Sequence, residues 1–89
     1  MKTFNDLKFK PHPHVDGVIS RITFDNGFGA SVVKHDFSYG GKDGLYELAV
    51  IDTKGDITYS THITDDVIGY LTEQEVTDLL KEIQQLPNA

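Results

Sequence analysis

A chain of 89 residues makes one domain and buries only roughly 60–65% of the surface its unfolded form exposes, so a flat binding face is easier to build than a deep catalytic cleft. The absence of cysteine excludes disulfides, thiolate nucleophiles and thiolate-ligated zinc or iron–sulfur clusters. The net charge of −6 is lopsided, with six acids and six bases in residues 1–51 but eight acids and two bases in 52–89, and an acidic chain with one arginine is poorly suited to direct nucleic-acid binding.

The start, "MKTFNDLKFK", has no apolar run of signal-peptide length, and no segment reaches the roughly 20 apolar residues that span a bilayer, so a cytoplasmic protein is expected. In "DLKFKPHPHVDG", Leu7 and Phe9 share one side of an extended run that Pro11 and Pro13 break. Residues 1–14 therefore read as an N-terminal arm or edge strand. A β-meander is predicted over 15–63. Val18, Ser20, Ile22 and Phe24 alternate on one face, Phe28, Ala30 and Val32 on another, and Asn26-Gly27 between them predicts a type I′ hairpin turn. After the Gly-rich loop "SYGGKDG", the stretch "LYELAVID" is apolar on both faces, as a central strand would be. "DTKGD" predicts a second hairpin leading into the strand "ITYSTHI".

Residues 64–86 are expected to form a short turn and a helix. "ITDDVIGYL" reads as a helical turn capped by Thr64 or Asp65, with Val67, Ile68, Tyr70 and Leu71 packing inward. Val76, Leu79, Leu80, Ile83 and Leu86 then form one stripe at helical spacing. Thr72 and Glu75 stand in capping-box relation, and Pro87 ends the helix. The fold class predicted is α+β: a single domain with an antiparallel sheet of four or five strands, a meander of hairpins, and one C-terminal helix packed on one face.

Candidate sites are few. "GFGASV" places Val32 where a dinucleotide fingerprint needs its third glycine and is followed by a strand, and "GGKDG" lacks a phosphate-loop frame. Gly27 is thus a turn residue, and Gly29 marks a bulge or a close backbone approach. The loop "HDFSYGGKDG" offers Phe37, Tyr39 and Lys42, the mixture found on protein-binding tips, although either aromatic can instead fold back over the sheet edge. His12, His14 and Asp16 form an H-x-H-x-D string, but two prolines stiffen it, and His35 and His62 have no spacing that joins them to it; no metal site is expected. Asp65-Asp66 sits where a solvated cap would, and Ser31, Ser38 and Ser60 lack a nucleophile context. No catalytic residue and no cofactor are expected.

The strings "FDNGFGASVV", "YGGKDGLYELAVID" and "ITDDVIGYLTEQEV" resemble small proteins of tailed bacteriophages and prophages, over about residues 4 to 83. The resemblance supplies no activity or catalytic residue; it implies a bacterial host cytoplasm and a role in infection or lysogeny, as in host-takeover or anti-defence factors, some of which present negative charge in place of DNA. The expected function is a non-enzymatic accessory protein that binds a host or phage protein. Its surface would join the 37–43 loop to Asp65, Asp66, Glu73, Glu75, Asp78 and Glu82, of which Glu75, Asp78 and Glu82 share one strip of the helix. The alternative is a self-associating assembly protein, a homodimer paired through an edge strand.

Overall fold

A computed structural model describes residues 1–63 and 67–88. Strands β1 (Lys10–Pro11), β2 (Gly17–Thr23), β3 (Gly29–His35), β4 (Tyr46–Ile51) and β5 (Ile68–Leu71) form one antiparallel sheet in chain order, followed by helix α1 (Glu73–Gln84). This is the expected α+β meander with a C-terminal helix on one face.

The β2–β3 hairpin forms where Asn26-Gly27 predicts it, with a different turn. Phe24 N–H donates to the Phe28 carbonyl and Gly27 N–H to the Phe24 carbonyl, so the loop has three residues, Asp25 to Gly27. Gly27 takes the left-handed conformation (φ 90°) and Asn26 does not, which replaces the type I′ turn by a turn followed by a glycine bulge. Tertiary contacts account for the choice. Asn26 Oδ1 accepts the Phe28 N–H at 3.1 Å, while its Nδ2 donates to the carbonyls of Ile83 (2.8 Å) and Leu86 (3.1 Å) at the end of α1. The hairpin thereby gives the Leu86 carbonyl a donor and adds a second donor to the Ile83 carbonyl, which also accepts the Leu86 N–H. Gly29 is the close approach anticipated: a side chain there would strike the Ile22 carbonyl and Ile51.

The fifth strand departs from expectation. Ile57 bridges to Ile51 and Thr58 N–H donates to the Val50 carbonyl, so the hairpin after "DTKGD" starts as predicted. The remainder of "ITYSTHI" leaves the sheet, and the strand resumes only at Ile68, which pairs with Leu48. The same edge of β4 is thus served by two short pieces of chain. Ile63, between them, packs against the core. Within the stretch read as a helical turn, Ile68–Leu71 is therefore β5, and Tyr70, expected inside, is exposed; the proposed caps Thr64 and Asp65 lie outside the described residues. A break in alternation decides this: regular pleating would put Tyr70 on the face of Ile68, but the ladder to β4 is irregular between Tyr46 and Leu48, and Tyr70 at φ 58° turns out while Ile68 and Leu71 both reach the core.

The core lies between the sheet and α1. Ala30, Val32, Leu48, Val50, Val76, Leu80 and Ile83 are wholly buried, joined by Leu7, Leu71 and Leu86. The helix starts as its sequence requires, with Thr72 Oγ1 accepting Glu75 N–H and Glu75 Oε1 accepting Thr72 N–H. The N-terminal arm lies along it: Phe4 N–H donates to Thr77 Oγ1, and Gln84 exchanges two hydrogen bonds with the Lys2 backbone. The rings of Phe4, Phe9 and Tyr46 meet at 5.1–5.6 Å. Within this arm only Lys10–Pro11 joins the sheet, as an edge strand, where the missing proline donor is harmless. On the opposite face, Ala49 and Ile51 are nearly buried, with Ile57 and Val67 beside them. Among the described residues no helix is long and apolar enough to cross a membrane.

Candidate protein-contact site

The connection from β3 to β4 is pinned at its base by Ser38. Its N–H and Oγ both donate to the His35 carbonyl, and its Oγ accepts the His35 N–H at 2.9 Å. Ser38 is buried, and this hydroxyl serves the turn rather than an imidazole. Phe37 stands at the tip of that turn and is 81% exposed. Tyr39 follows at 60% exposure, and Lys42 is exposed in the 3₁₀ turn Gly41–Asp43. Neither aromatic folds back into the core.

Tyr39 brings this loop to β5. Its carbonyl accepts the Tyr70 N–H at 3.0 Å, and its Cβ packs so closely on Gly69 that any side chain at 69 would collide with it. The bond to Tyr39 also holds Tyr70 in the left-handed region, which non-glycine residues seldom occupy. Tyr70 is 60% exposed, so two tyrosines stand together at the sheet edge. From the same strand, Ile68 and Leu71 join Leu79, Glu75 and Asp78 of α1 around a shallow groove of about 270 Å³. Each carboxylate has one local partner: Glu75 takes the Thr72 N–H and Asp78 takes Gln74 Nε2 at 2.9 Å. Glu73, Glu75, Asp78 and Glu82 are all exposed. Tyr39 and the residues Glu75 and Asp78 thus meet the same strand, while Asp65 and Asp66 lie outside the described residues.

The histidines are arranged differently from their sequence spacing. Pairing of Gly17 with His35 carries the β3 end to the start of β2, and the His12 and His35 rings meet edge to face at 5.1 Å. His14 lies 6.1 Å from His12, and Phe37 lies 6.4 Å from His35. His12 Nδ1 accepts the His14 N–H at 3.2 Å and His35 Nδ1 accepts the Phe37 N–H at 3.1 Å. In the neutral ring this puts the proton on Nε2, the nitrogen a metal would need. Among the described residues no group of three or more histidine or acidic side chains is placed to hold a metal ion. Partial burial, then the neighbouring His35 and His14, hold His12 below the ordinary imidazole value.

Two features escape sequence reasoning: the exposure of Tyr70 and the addition of His35 to the His12–His14 string. Both depend on pairings between distant segments. Comparison with protein-family models, curated proteins and solved structures finds no match to this chain.

Proposed function

We propose that this chain is a small, acidic, non-enzymatic accessory protein that binds another protein, through a surface running from the 37–43 loop across β5 to Glu75, Asp78 and Glu82. The observation that carries the reading is the exposure of Phe37 and Tyr39 on a loop whose backbone is fixed, with Tyr70 beside Tyr39. Rigid, exposed aromatics bind at low entropic cost and recur as anchors of protein interfaces. The carboxylates beyond the groove suit a basic partner, including one whose own ligand is nucleic acid. The resemblance to phage proteins makes a bacterial host protein, or another phage protein, the expected partner. Self-association through edge strands has less to work with: β1 has two residues and ends in proline, and β5 has four and contains Tyr70 in its unusual conformation.

The test is capture from host-cell lysate at low and moderate salt with the native sequence, a Phe37→Ser/Tyr39→Ser variant and an Asp78→Lys/Glu82→Lys variant. One protein recovered in stoichiometric amount by the native chain and lost by both variants is the expected result. Recovery of the bait alone, with a mass that rises with concentration in solution, would replace this reading by self-association.

A further inference from the structure

The loop between β1 and β2 and the turn that carries Phe37 touch through two imidazoles, each of which also accepts a backbone N–H. We propose that His12 and His35 form a proton-operated latch: protonation of either ring breaks one of those backbone bonds and parts the β1–β2 loop from the Phe37 turn. This inference is independent of what, if anything, binds Phe37.

The argument is one of available lone pairs. A neutral imidazole that accepts through Nδ1 carries its proton on Nε2, so a second proton can go only to Nδ1. In His35 that nitrogen accepts from Phe37, and in His12 it accepts from His14. Protonation turns each acceptor into a donor facing a donor. It also places positive charge on rings 5.1 Å apart, with His14 6.1 Å from His12. The other groups facing the latch are acids: Asp16 from the β1–β2 loop and Asp36 from the turn line the same shallow concavity with His12, His14 and Phe37. They occupy neither Nδ1. Lys10 lies two residues before His12 in β1, and Lys34 reaches over Tyr46. The turn itself stays closed through Ser38, so the change is confined to the Phe37 amide, the His12–His14 segment and the contact between them.

The direction follows from His12. In the closed latch, burial, His35 and His14 hold it below the ordinary value of 6.5, whereas a ring released from those contacts takes the proton more readily. The closed latch is therefore fully present above that pH and is lost as pH falls below it.

The experiment is an NMR titration of ¹⁵N-labelled protein from about pH 8 to about pH 5, following imidazole nitrogens and backbone amides together. The Phe37 and His14 amides should shift with the midpoints of His35 and His12 respectively. His35→Phe should abolish the pH dependence at Phe37 and move the His12 midpoint up toward 6.5, because one repelling neighbour is gone. His12→Asn, in the β1–β2 loop, should remove the pH dependence of the His14 amide and leave that of Phe37. His62→Gln, outside the cluster, should change none of these. Ring titration with the Phe37 and His14 amides unmoved would overturn the latch, as would a His12 midpoint indifferent to His35→Phe.

Discussion

Against α1, the side chains of Val32, Leu48, Val50, Leu80 and Ile83 lose all contact with water, whereas at the β3–β4 turn and the β5 edge the largest side chains, Phe37, Tyr39 and Tyr70, stay more than half exposed. The first region draws its stability from apolar area removed from water. The second is held in shape by backbone polar bonds, those of Ser38 to His35 and of Tyr70 to Tyr39, which need no help from the aromatic rings above them. A small domain can in this way present large apolar groups to solvent without drawing on its core to position them.

The contrast predicts a descending series of effects on stability. Leu80→Ala removes a wholly buried side chain at the centre of the helix–sheet contact and should cost about 2–5 kcal/mol in denaturant unfolding, a large share of what a domain of this size has. A loss below about 1 kcal/mol would mean that α1 is not the main cover of the sheet. Asn26→Ala removes the side-chain donor to the Leu86 carbonyl, one of two donors to the Ile83 carbonyl and the acceptor of the Phe28 N–H, and should cost about 1–3 kcal/mol, with amide exchange rising first in the last turn of α1. Exchange rising uniformly would show that this tie stabilises the whole fold rather than one end of it. Phe37→Ser should fall within about ±0.5 kcal/mol of the native chain. Marked destabilisation by that change would erase the distinction between the two regions, since Phe37 would then be part of the core.

The elements whose residues meet locally were legible in the sequence. The stripe from Val76 to Leu86, the Thr72/Glu75 cap, the doubly apolar strand "LYELAVI" and the hairpin at Asn26-Gly27 are set by periodicity and short-range hydrogen bonding, and the structure contains each of them. The turn type was misread because Asn26 answers to carbonyls 57 and 60 residues away. The segment 57–71 was misread for a related reason. "ITYSTHI" alternates well enough for a strand, but β4 accepts only its first residues before taking Ile68–Leu71 instead, and Ile63 goes to the core.

The candidate site divides along the same line. That Phe37, Tyr39 and Lys42 sit on a loop, and that Glu75, Asp78 and Glu82 share a helix face, follows from composition and spacing alone. That Tyr39 lies on Gly69, that Tyr70 faces water, and that His35 joins His12 beside His14 are consequences of strand register, which brings together residues from 23 to 31 positions apart. Sequence by itself determined the helix, the β2–β3 hairpin, the central strand and the chemical character of the exposed groups, because each depends on neighbours within a few residues. Tertiary structure alone decided which of those groups meet, because the register that joins them is chosen by the burial of side chains on the opposite side of the same strands.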